Sequence, residues 1–197
     1  MPATKLQFWY TAPMKHIWWV VLGIVVIVAL YIGGVYNGLV SSNEGVDAQW
    51  AQVESQYQRR LDLVPNLVNS VKGIMAQEDE IFTALAEART KYGGAASSDE
   101  KAAAASEFEG ALGRLLVVME NYPQLRSVEA VQSLMTELAG TENRISVERM
   151  RYNEHVRDYN VGVKTFPRSF LASMFGFGPR TMFEAAEGAD TVPEVQL

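Results

Sequence analysis

Two histidines, one acidic triplet and a set of charged residues placed on apolar seams are where chemistry would have to reside in this 197-residue chain. His155 follows Glu154 within a stretch of helical spacing. A carboxylate-bridged di-iron bundle needs Glu-x-x-His from each of two helices, and the residue three before His155 is Tyr152. His16 borders a long apolar run and suits an interfacial flank. Glu78-Asp79-Glu80 would attract a cation, yet acids in a row are also what the first turn of a helix takes. Gly176-Phe177-Gly178 has no helix signal after it and reads as a turn. Cysteine is absent, which removes disulfides, thiolate nucleophiles and zinc–thiolate sites. The expectation is a protein without catalytic residues, metal or cofactor, and not an enzyme.

Arg60, Asp62, Glu142, Arg144 and Arg149 lie on or beside apolar seams, where an unpaired charge is expensive. Either they form an ion-pair lattice that fixes the register of two helices, or they line a site for a small polar ligand. Both signs are present and can neutralise each other, which favours the lattice. A second concentration is aromatic. Phe166, Phe170, Phe175 and Phe177 stand close together with Leu171, Met174 and Phe183. These residues can cap a bundle, lie among lipid headgroups or contact a neighbouring chain.

The elements that position these residues begin with an anchor. Ile17 to Val35 carries no charge and, as a helix, spans roughly 28 Å, close to the hydrocarbon thickness of a bilayer. It is longer than a signal-peptide core, and no A-x-A-like site follows it. Trp18, Trp19, Tyr31 and Tyr36 fall towards its two ends, as aromatic belts do. Lys5 and Lys15 precede the span, whereas Glu44 and Asp47 follow it. That bias puts the N-terminus in the cytoplasm and the domain outside. The net charge of −6, without a basic block, makes nucleic acid a poor partner.

Beyond the span the pattern is helical throughout. Val46, Trp50, Val53, Tyr57, Leu61, Val64, Val68, Val71 and Met75 recur at three and four. Ser41 and Glu44 allow a capping box, or the helix continues directly from the anchor. Pro65 predicts a kink. Lys72-Gly73 followed by Glu78-Asp79-Glu80 predicts a turn, Gly93-Gly94 a second stop, and Ser98-Asp99 a third start. An unbroken helix from Ser42 to Lys91, giving a three-helix stalk, is the alternative. The last helix, from about Ser127 to Thr165, keeps heptads with Glu142 and Arg149 in two seam places. The resulting fold is all-α, with an N-terminal single-pass transmembrane helix and then an up-down-up-down antiparallel four-helix bundle. Its divisions are a tail (1–16), the anchor (17–36), the bundle (37–166), an aromatic membrane-proximal segment (167–183) and a flexible acidic tail (184–197). Equal helical rise makes paired residue numbers on the two long helices sum to roughly 206, setting Arg60 by Glu142 and Asp62 by Arg144.

Arg59-Arg60-Leu61-Asp62-Leu63-Val64-Pro65-Asn66-Leu67-Val68 resembles the LemA family, as do Glu87-Ala88-Arg89, Leu112-Gly113-Arg114-Leu115-Leu116 and Glu142-Asn143-Arg144-Ile145. Tyr152-Asn153, Tyr159-Asn160, Phe166-Pro167 and Phe175-Gly176-Phe177 continue the resemblance from Tyr36 to Phe183. Gln77, where a histidine is common, and Glu148-Arg149-Met150-Arg151 depart from the pattern. The resemblance implies a single anchor, a helical bundle and no established catalytic activity. Some members are associated with magnetosome membranes, and the domain is often drawn in the cytoplasm, opposite to the charge bias. The expected role is a non-enzymatic scaffold or assembly factor in the cell (inner) membrane, in contact with lipid and with further copies or other membrane proteins. A sensor that binds a small polar ligand is the alternative.

Overall fold

The computed structural model describes residues 14–183, which form five α-helices and one short 3-10 turn. They are α1 (Met14–Val71), α2 (Asp79–Gly94), α3 (Ser98–Met119), α4 (Glu129–Lys164) and α5 (Arg168–Met174), with the 3-10 turn at Pro123–Ser127 before α4. Lys5, with the rest of the N-terminal tail before Met14, and the acidic tail 184–197 lie outside the described residues. So do the side chains of Lys15 and His16.

Anchor and first bundle helix are one element. α1 runs for 58 residues, about 87 Å, without the break that a cap at Ser41 would make. The large apolar residues from Ile17 to Leu30 are exposed, whereas Val35 and Leu39 are buried by the domain. The exposed apolar surface of α1 therefore gives way to surface covered by the domain close to Val35. α1 also continues through Pro65, whose missing N–H leaves the carbonyl of Leu61 without its usual partner. The helix ends at Val71, and the amides of Ile74 and Met75 both return to the Val71 carbonyl at 2.9 Å. This turn excludes the three-helix stalk, because α2 starts afresh at Asp79 with Asp79 and Glu80 in its first turn. α3 starts on a capping box, with Ser97 and Glu100 each satisfying the other's backbone N–H.

Heptads explain the central pairing. Leu39, Val46, Val53 and Leu67 of α1 lie on one seven-residue line and are buried, with Arg60 filling the missing place. Val131, Leu138, Ile145, Tyr152 and Tyr159 form the equivalent line on α4. Two such lines pack antiparallel at a shallow angle. Gly162 lies against Leu39, Trp50 against Tyr152 at 5.6 Å, and Arg60 against Glu142. That register is within about one helical turn of the equal-rise expectation. α2 and α3 form a hairpin laid over the distal part of this pair. Tyr92 meets Tyr57 at 6.0 Å, Lys101 pairs with Glu54, and Phe82, Leu85, Phe108, Leu112 and Leu115 complete the core. The four helices alternate in direction along the chain.

After α5 the chain reverses at Gly176, whose φ of +79° is a conformation that costs glycine little. It then runs back along α4 to Phe183, beside Trp50. The aromatic segment thus does not stay together at the membrane end. Phe166 to Phe177 are there, and Phe183 lies several turns further out.

Candidate functional site

The most densely connected polar group joins three helices. Arg60 is 2% exposed on α1, and each of its nitrogens has a partner. Its Nη1 donates to Glu109 Oε1 of α3 at 3.2 Å, its Nη2 to Glu142 of α4, and its Nε to the hydroxyl of buried Thr141 at 3.4 Å. Arg149 of α4 reaches the same Glu109 oxygen at 2.9 Å. It also donates through Nε to the Tyr57 hydroxyl at 2.7 Å and lies over the rings of Tyr57 and Phe183 at 5.4 and 5.1 Å. Two guanidinium groups and two carboxylates leave no net charge. Guanidinium does not give up its proton in proteins, and the two hydroxyls present, of Thr141 and Tyr57, each accept a hydrogen bond from one of the arginines. Such an arrangement is suited to fixing helix register, not to moving a proton.

Sequence spacing brings some of the five charged residues together and separates others. Arg60 meets Glu142, and Arg149 joins them through Glu109. Asp62 and Arg144 do not pair. Asp62 instead accepts from Gln58 at 3.0 Å and faces Arg89 of α2 at 3.9 Å, while Arg144 is exposed with no salt bridge among the described residues. Residues two apart on a helix point to nearly opposite sides. With Arg60 and Glu142 turned towards each other, Asp62 and Arg144 must both turn away.

Tyr57 responds to this environment. Burial, reinforced by the Glu109 charge and opposed by Arg149, pushes its hydroxyl from 10.0 up to about 12. The folded state holds that proton more tightly than the unfolded chain does. Its contribution is therefore complete below about pH 10 and is lost as pH rises from there through about 12. The drop is expected to reach about 2–3 kcal/mol. Denaturant titrations across that range check it, since Tyr57→Phe should flatten the pH dependence. An unchanged slope in that variant would refute the assignment.

The second assembled site is the strap that follows Gly176. Asn160 accepts from the Arg180 amide through Oδ1 and donates to the Arg180 carbonyl through Nδ2, both at 2.8 Å. Asn153 treats Phe183 the same way, at 2.8 and 2.9 Å. Seven residues of helix rise about 10.5 Å, and three residues of extended chain cover about 10 Å, so the two asparagines match every third strap residue. The Tyr159 hydroxyl donates to the Gly178 carbonyl at 2.9 Å. Side chains add a second layer. Arg180 pairs with Asp47, Thr181 donates to Asp99 at 2.9 Å, and Phe183 stacks on Trp50 at 5.7 Å. The repeated Tyr-Asn pairs are therefore a reader of extended backbone.

The remaining candidates have structural places. Phe166 and Phe170 are 84% and 70% exposed, Phe175 is partly exposed, and Phe177 is half-buried against the core. Phe175 and Phe177 both meet Tyr36 edge-on, at 5.0 and 6.0 Å. His155 is exposed and packs over Gly45, where a side chain would meet its Nδ1 at 3.5 Å. Asp79 and Glu80 sit in the first turn of α2, and Glu78 accepts from the Tyr122 hydroxyl at 3.1 Å. No group of three or more His, Asp or Glu among the described residues is placed to hold a metal ion. Sequence reasoning missed Glu109, Thr141, Tyr57, Asn153 and Asn160 as site residues. Glu109 left one trace, since it stands beside Phe108 on the core-facing side of α3.

Comparison with known proteins adds a family. A model of the LemA family matches residues 49–197, a stretch that contains nearly all of the polar cluster and strap. Magnetosome proteins MamQ 1 and MamQ 2 of Paramagnetospirillum magneticum (strain ATCC 700264 / AMB-1) are each 30% identical to the chain, over 79% of it and 67% of the relative. Magnetosome protein MamQ of Magnetospirillum gryphiswaldense (strain DSM 6361 / JCM 21280 / NBRC 15271 / MSR-1) is 29% identical over the same shares.

Proposed function

This chain belongs to the LemA family, and from that premise we propose that it is a non-enzymatic, self-associating scaffold in membrane organisation. The observation that carries the reading is α1 itself. A single helix from Met14 to Val71 contains both a stretch long and apolar enough to cross a membrane and the spine of the domain. A helix that continues unbroken from the apolar stretch into the domain sets the domain's distance from the bilayer, which suits the building of an assembly on a membrane. The magnetosome relatives support the same direction. The ligand-sensor reading has less support, because Arg60 and Arg149 are already met by Glu109 and Glu142.

Protein extracted in mild detergent is expected to run as assemblies of more than one copy, and crosslinking in native membranes should trap copies with each other or with other membrane proteins. A monomeric mass at every concentration, with no crosslinked partner, would overturn the proposal. The orientation that Lys5 and Lys15 favour puts the domain outside the cytoplasm. A C-terminal reporter on the intact chain should register there, and a cytoplasmic signal would reverse it.

A further inference from the structure

We propose that α5 and the residue pair before it form a second membrane contact, a foot whose aromatic side chains enter the lipid headgroup layer around the span of the same chain. The proposal rests on the membrane location of the chain and not on self-association.

Three observations meet here. The first is level. Arg168 lies alongside Gly38, Gly162 against Leu39, and Phe175 against Tyr36. α5 is thus fixed where α1 passes from lipid-facing to protein-covered surface, near Val35. The second is facing. Leu171 and Ala172 are buried and hold α5 on the domain, while Phe170 and Met174, four apart on α5, are exposed, as is Phe166 just before the helix. A helix surface-bound in this way has one apolar side for its own protein and another for a different apolar medium. The third is charge. Lys164 and Arg168 are exposed beside these rings, where long cationic side chains meet lipid phosphates. A contact between copies would bury the same rings, but it would not account for their level or for the flanking cations.

The chain has no cysteine, so a single introduced one carries a unique spin label. Full-length protein with Met174→Cys, reconstituted in vesicles of phosphatidylethanolamine and phosphatidylglycerol, is compared with labels at Leu30→Cys in the span and Val117→Cys on the distal part of α3. Oxygen should reach the Met174 label several-fold better, relative to a water-soluble nickel chelate, than it reaches the Val117 label. Phe166→Ser with Phe170→Ser should move the Met174 label towards water and leave the other two unchanged. Both serines replace exposed side chains, so helix content should hold. A Met174 label as open to nickel as that at Val117 would overturn the foot. So would a label closed to both reagents, which is the signature of burial between copies.

Discussion

Glu109→Gln should lower the unfolding free energy of the domain by about 3 kcal/mol, at the lower end of what breaking a buried ion pair costs. Glu109 alone is shared by both arginines, and its side chain keeps only 26% of its exposure. Glutamine leaves Arg60, almost fully buried, with a single carboxylate and Arg149 with none. Glu142→Gln removes an equal charge at a side chain that is 60% exposed, where water compensates, and should cost about 1 kcal/mol or less. Urea titration of the full chain in mild detergent, followed by helix circular dichroism, separates the two. Losses of equal size would show that sharing by Glu109 is unimportant. Combining Glu109→Gln with Arg149→Met should cost less than the two single losses together, because each removes what makes the other expensive.

The same geometry changes a conclusion that pairwise reading invites. Exchanging Arg60 and Glu142 keeps opposite charges facing each other. It would also set a glutamate at position 60 against Glu109, so the exchange should not recover stability. Arg60 was legible as unusual because it fills one place in an otherwise apolar heptad line. Its main partner was not legible, since Glu109 lies on a hairpin whose rotation over α1 depends on packing from Phe82 to Leu115. Local signals fared better. The long apolar helix at the N-terminal end, the reversal near Gly73 and the heptads of α4 each depend on neighbours within a turn or two, and each stands in the structure. The pairing of Asp62 with Arg144 failed because axial level was considered without rotation about the axis. The strap was not legible for a different reason. Its path is set by one positive φ at Gly176 and by side chains far back in the chain, while its own sequence has neither period.

Asn153→Ala together with Asn160→Ala should release that strap without unfolding the domain. The four hydrogen bonds removed are each worth about 0.5–1 kcal/mol net of the water that replaces them, a loss of about 2–4 kcal/mol. The effect is local, since α1, α3 and α4 stay joined through Glu109 and the apolar seam. Hydrogen exchange reads it directly. The amides of Arg180 and Phe183 both donate to an asparagine oxygen, so their exchange should quicken by roughly a hundredfold, while amides in the middle of α4 hold their protection. Asn153→Asp distinguishes backbone reading from simple burial. Aspartate keeps the acceptor for the Phe183 amide but turns a charged oxygen, in place of an N–H, towards the Phe183 carbonyl. It should therefore loosen Phe183 nearly as much as alanine does. Unchanged protection at Arg180 and Phe183 in the double variant would mean that the side chains of Arg180, Thr181 and Phe183 hold the strap on Asp47, Asp99, Trp50 and Tyr152, and that the two asparagines do not read its backbone.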